Sequence, residues 1–182
     1  MITLIATCLT KAQEKICAEM GIEIAKNYVP SLGEIVAGCV TDFSVHCFNS
    51  DALAVLKSMG VRRATLHPEL NLAQIRDLRK CIPTEVVIYG KLPLMRIGNP
   101  QTEGIVSDRK GAKFFIHGEN LYNSVPIFMA DKLEEVEKSG VSHARLIFTT
   151  ETDDEIRKII SAHVKGEAIK ISFTRGKFYS RV

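Results

Sequence analysis

A repeated unit constrains this chain most: an amphipathic helix, a glycine stop and a short β-branched run, met several times in succession. Aligned without gaps at an offset of eighty positions, Asp51, Leu53, Gly60, Val61, Ala64 and Leu66 face Asp131, Leu133, Gly140, Val141, Ala144 and Leu146. The match resumes after a one-residue gap with Ile75-Arg76 against Ile156-Arg157, and a weaker copy reads "AEMGIEIA" from Ala18 to Ala25. Such a unit cannot bury its apolar face alone, so stacked copies imply a β/α barrel or a doubly wound sheet. Any two units of this kind share some of these features, and six matches do not separate a true repeat from shared architecture.

The helix ends carry their own chemistry. Thr10 with Gln13 makes a capping box ahead of Ala12, Ile16 and Met20, and Gly21 stops that helix. Ser50 is read as the cap of a helix bearing Leu53 and Leu56, with Gly60 as its stop, and Asn71 as the cap for Leu72, Ile75 and Leu78. Met129, Leu133 and Val136 repeat at helical spacing. Thr152 and Glu155 form a second capping box, with Ile156, Ile159, Ile160 and His163 on one face before Gly166. Between the helices lie "ITLIAT", "IEIA", "EIVAGCV", "FSVHCF", "ATL", "EVVIY", "KFFIHG", "RLIFT" and "AIKISF". Several lack clean alternation, as strands covered on both faces do. The fold class is α/β. Five helices fall short of the eight units of a complete barrel, so either the sheet is open or the barrel is partial.

At 182 residues and 46% hydrophobic, the chain suits one well-buried domain. A net charge of +3, spread among acids, argues for neither a nucleic-acid groove nor an anionic membrane. The apolar start "MITLIATCLT" lacks a basic leader and is too short to span a bilayer, so a cytoplasmic protein is expected. Cys8, Cys17, Cys39, Cys47 and Cys81 contain no C-x-x-C pair and are expected to be free thiols. The phosphate-binding glycine loops, H-E-x-x-H and G-x-S-x-G are absent.

In parallel α/β architectures, chemistry gathers at the C-terminal ends of strands. Those ends supply His46 and Asn49, His67 and Glu69, Tyr89 and Lys91, and Thr149 and Glu151. A histidine, a carboxylate and a lysine at one rim could provide acid-base chemistry or hold an anion; each is equally an ordinary loop residue. The segment from Arg96 to Tyr122 is too long for a simple connection and is read as an inserted hairpin turning at Asp108-Arg109-Lys110-Gly111. That turn presents cations suited to an anionic group, and it also has the composition of a solvated turn. The closing "SFTRGKFYSRV" alternates Phe173, Phe178 and Tyr179 with Arg175, Lys177 and Arg181, and is read as a barrel-closing strand with a turn at Gly176.

Several runs together resemble a known family. "DFSVHCFNSDAL", "TLHPELNLAQI", "EVVIYGKLPLM", "DRKG" with "FFI", "NSVPIFMADKLEEVEKSGV", "RLIFTTE" and "FTRGKFY" are similar, in this order, to the C-terminal portion of the collagenase-like peptidase family U32. The resemblance runs from about Gly38 to the C-terminus and leaves residues 1–37 as a βα segment without assignment. It implies a partial (β/α) TIM-type barrel, roughly the C-terminal half, with the inserted β-hairpin. It implies peptide-bond hydrolysis. Relatives are also implicated in oxygen-independent hydroxylation of RNA bases or small aromatic metabolites, using an iron–sulfur cluster held by four cysteines. The family's C-x4-G-x-C signature is absent, so neither cofactor nor metal is expected in this chain. His46, His67, Lys91 and Lys177 stand where asparagine, serine, arginine and histidine are usual in the family, whereas Asn49, Glu69, Asp108, Arg109, Arg145, Thr174 and Arg175 match its motifs.

The resulting expectations are Glu69 and His67 as catalytic residues, and Asn49, Lys91, Asp108, Arg109 and Arg175 as substrate-binding residues. The partner would be a peptide or RNA substrate, with no membrane. Two other readings stay open: a subunit or remnant of a hydroxylase, and a non-catalytic half barrel that forms a homodimer or completes another chain's barrel.

Overall fold

The computed structural model describes residues 2–98 and 103–180. The first half runs β1 (Thr3–Cys8), α1 (Lys11–Glu19), β2 (Glu23–Ile24), β3 (Tyr28–Val29), β4 (Val40–Thr41), α2 (Ser50–Ser58), β5 (Arg63–Thr65), α3 (Leu72–Asp77) and β6 (Thr84–Gly90). The second runs β7 (Pro93–Arg96), β8 (Gly104–Ser107), β9 (Lys113–His117), β10 (Asn120–Tyr122), β11 (Ile127–Phe128), α4 (Leu133–Lys138), β12 (His143–Phe148) and α5 (Asp153–Lys165).

The capping boxes at Thr10 and Thr152 and the cap at Asn71 form as the sequence predicts, and Gln74 makes a capping box of the last as well. At α2 the cap is Asn49, whose side chain accepts from the Ala52 amide at 2.8 Å, and not Ser50. Ser50 is drawn elsewhere: its hydroxyl accepts from the Arg79 amide at 2.9 Å. The stops Gly60 and Gly140 of the repeated unit both have φ +81°, matching the repeat in conformation as well as in sequence.

Seven strands make one parallel sheet in the order β2-β1-β12-β6-β5-β4-β3, with β11 added antiparallel to β6. The strands at the two ends of that order, β2 and β3, lie only three residues apart in the chain. Between them the Ala25 amide still donates to Ala6 of β1, while Val29 accepts from the Asp42 amide beyond β4. The sheet is therefore strongly curled, consistent with a partial barrel. Helices cover its convex side, where Ala6, Ala64, Val86, Ile88, Ala144, Leu146 and Phe148 meet Ile16, Leu53, Ile75, Ile156 and Ile160 in one apolar core. All seven residues of β6 are buried.

The concave face is polar at its centre. Parallel register places Tyr28, Val40, Arg63, Thr65, Glu85, Val87, His143, Arg145 and Ile5 on one side of the sheet. Glu85, fully buried, forms ion pairs with Arg63 and Arg145, Nε to carboxylate oxygen 3.0 Å in each, and accepts hydrogen bonds from the Tyr28 hydroxyl at 2.9 and 3.0 Å and from the Thr65 hydroxyl at 3.1 Å. Arg145 also donates to Asp42 at 2.7 Å and lies 4.1 Å over the Tyr28 ring. Burial alone would lower the pKa of this guanidinium, but the charges of Glu85 and Asp42 outweigh it and hold Arg145 protonated. Charge pairing across the interior thus ties β3, β4, β5, β6 and β12 together.

Four expected strands take other forms. "EIVAGCV" is irregular up to Val40, where β4 begins. "FSVHCF" is a short 3-10 turn at Phe43–Val45, followed by a single bridge from Cys47 to Leu66. "AIKISF" contains no strand, and the closing strand is reduced to one bridge between Thr174 and Ile127, with a turn at Gly176. The tail's carbonyls serve α3 instead: Phe178 accepts from the Leu72 amide and Ser180 from the Asn71 side chain.

The inserted hairpin exists as β8 and β9 but is larger than expected, because β7 and β10 join it in a four-stranded antiparallel sheet ordered β7-β10-β9-β8. β7, the edge strand of that sheet, carries Pro93, the charged Arg96 and a register shift in its pairing with β10 between Leu121 and Tyr122, devices that discourage further strand pairing.

Gly90 closes β6 with φ +136°, and a Cβ there would lie 2.6 Å from the Ile147 carbonyl oxygen. Gly90→Ala should therefore lower the unfolding free energy by about 1–3 kcal/mol, read by urea titration. A second effect follows from His163, which lies fully buried on α5 with Nδ1 2.8 Å from the Ile159 carbonyl. Burial lowers its pKa to about 4. Above pH 6.5 the residue is neutral in both states and contributes no pH dependence. As pH falls from there toward 4, the unfolded chain binds a proton that the folded chain refuses, and stability drops by up to about 3 kcal/mol. His163→Met should flatten this part of the stability profile.

Candidate active site

The C-terminal ends of β4, β5 and β6 open into a cleft of 810 Å³. Its walls come from the loops after β4 and β5, from Leu92 to Arg96 along β7, and from Thr174, Gly176 and Lys177 of the tail. Both residues expected to be catalytic line it. His67 directly follows the sheet, half-buried, and its Nδ1 accepts from the Glu69 amide at 3.3 Å. The tight His67-Pro68-Glu69 turn brings the Glu69 carboxylate, exposed, to the same cleft.

His67 is held in an aromatic stack, with ring centroids 4.2 Å from Phe48 and 5.1 Å from His46. His46 reaches this place through a left-handed backbone at φ +59°, uncommon for a residue with a side chain. Burial lowers the His67 pKa, the Glu69 charge opposes the shift, and His46 adds to it, so the imidazole is neutral near pH 7. With Nδ1 occupied as an acceptor, the proton of the neutral ring sits on Nε2. The pair therefore offers one N–H donor and one carboxylate base.

The other expected site residues lie elsewhere. Lys91 bonds the Thr150 hydroxyl at 2.7 Å and lines two neighbouring pockets of 260 and 310 Å³, not the cleft. Asn49 is engaged as the α2 cap. Asp108 accepts from the Lys110 and Ala112 amides at 2.8 and 2.9 Å, fixing the hairpin turn, and Arg109 stands exposed on that turn, outside the cleft lining. Arg175 is spent on Asp131 at 2.7 and 2.8 Å and on the Phe128 carbonyl at 2.7 Å. This pairing holds the Asp131 carboxyl below the usual range and positions the tail residues that do reach the cleft. The sequence does not join the Glu85 cluster, although Arg145 matches a family motif; the signal is a single charged residue, Glu85 or Arg145, set inside the β-branched runs "TEVVIY" and "ARLIFT". Nor does it link His46 to His67.

Cys8 and Cys17 touch at 3.7 Å between sulfurs, and among the described residues no group of three or more His, Cys, Asp or Glu side chains could hold a metal ion. No helix among the described residues is long and apolar enough to cross a membrane.

A curled parallel β/α sheet with a cleft at its C-terminal rim is consistent with the class of partial β/α barrels. Within that class, the model of peptidase family U32 matches residues 16–113, more than half of the chain, and the protein belongs to this family. The match begins within α1, upstream of Gly38, and ends at the start of β9. Comparison with curated proteins and with solved structures returned no match.

Proposed function

We propose that the cleft at His67 and Glu69 hydrolyses peptide bonds by direct attack of water. The observation that carries this reading is the hydrogen bond from the Glu69 amide to His67 Nδ1, which leaves Nε2–H as the donor in a cleft that Glu69 also lines. Glu69 takes a proton from water as the oxygen attacks the carbonyl carbon. His67 Nε2–H stabilises the negative charge that develops on the carbonyl oxygen, a task suited to a neutral imidazole. The protonated Glu69 then returns its proton to the departing amine, and the C–N bond breaks. Family membership supports the reaction class.

The order of steps is testable with casein as substrate. Attack by water predicts a linear release of primary amines from the first turnover. A burst of one amine per chain, the mark of a covalent acyl intermediate, would replace this mechanism with a nucleophilic one.

A further inference from the structure

Beyond the cleft, the ends of β6 and β12 and the first turns of α5 enclose a second pocket of 260 Å³. Its apolar wall is Ile159, Ile169 and Ile171, and its polar groups include Lys91, Glu151 and Lys158. Opposite charges that share a pocket normally pair, yet none of these three is in an ion pair among the described residues. Lys91 rests on the neutral Thr150 hydroxyl. Glu151 accepts from the buried Tyr89 hydroxyl at 3.0 Å and from the Thr149 amide at 2.6 Å, which fixes the carboxylate and leaves acceptor capacity on Oε1. Burial and the nearby Glu151 charge raise the Tyr89 phenol's pKa, so it remains a donor. Lys158 has no hydrogen bond or ion pair among the described residues.

Two ammonium groups without an acidic partner, the fixed Glu151 carboxylate and an apolar wall, with the Glu155 carboxylate of the same lining already accepting from the Thr152 amide and hydroxyl, match a small molecule that bears both charges and a hydrocarbon group. The volume lies below the roughly 300–1,000 Å³ that holds drug-sized ligands, so the occupant is a small metabolite. We propose that this pocket binds a free apolar α-amino acid. Its carboxylate meets Lys91 and Lys158, its ammonium meets Glu151, and its side chain packs on the three isoleucines. A peptide terminus lacks one of the two charges and is a poorer fit. The pocket is distinct from the catalytic cleft, and the proposal stands or falls without reference to hydrolysis.

Calorimetric titration of the full chain with L-leucine tests it. Binding is expected, and leucinamide and N-acetylleucine, each missing one charge, should bind at least about tenfold more weakly, a loss of about 1.4 kcal/mol. Lys158→Met changes an exposed side chain on α5 and should leave the fold intact; it should weaken leucine binding by a similar factor. No binding of leucine, equal binding of all three compounds, or unchanged affinity in Lys158→Met would each overturn the proposal.

Discussion

Glu85→Ala should destabilise the protein by about 3–5 kcal/mol, because it strands the buried guanidinium groups of Arg63 and Arg145 without their shared counter-charge. Against the 5–15 kcal/mol that holds most domains folded, this is a large fraction. Coulomb attraction is not the reason, since a buried pair roughly breaks even against desolvation; the cost lies in leaving one sign of charge alone in a low-dielectric interior. Adding Arg63→Met to Glu85→Ala should recover part of the loss, since the interior then holds one fewer unpaired charge. Glu69→Gln at the exposed rim should change stability by no more than about 0.5 kcal/mol. Urea titrations of these variants decide the point. If Glu85→Ala unfolds at the wild-type midpoint, the interior cluster does not have the role assigned to it.

Removal of the proposed oxyanion donor should be equally severe for catalysis. His67→Phe keeps a flat ring between His46 and Phe48 while deleting Nε2–H, so loss of function cannot be put down to a collapsed stack. A drop of about 10²–10³ in kcat on casein is expected, with KM little changed, because the bond to the substrate oxygen strengthens as charge develops. An equal rise in KM at constant kcat would make His67 a binding residue only.

Much of the scaffold was legible in the sequence, because its signals are local. Thr10, Asn71 and Thr152 announced their helices through capping chemistry, and "EVVIY" announced a strand covered on both faces. The curl was not legible. It depends on Arg145 reaching Tyr28 and Asp42, which lie 117 and 103 positions away in the chain. Tail residues that looked like a strand were claimed by the first turn of α3, a competition that no local pattern reports. Strand-end logic placed His67 and Glu69 at one rim correctly, but it could not say that Lys91, at the end of the next strand, turns toward β12 and a separate pocket.

That division is the centre of the functional account, and parallel rates of casein hydrolysis for Glu69→Gln and Lys91→Met test it most directly. The account predicts that Glu69→Gln lowers kcat by about 10²–10⁴, the usual worth of a positioned general base, while Lys91→Met stays within a few-fold of the parent chain. A full rate in Glu69→Gln, or a collapse in Lys91→Met alone, would contradict it and move the chemistry to the other pocket.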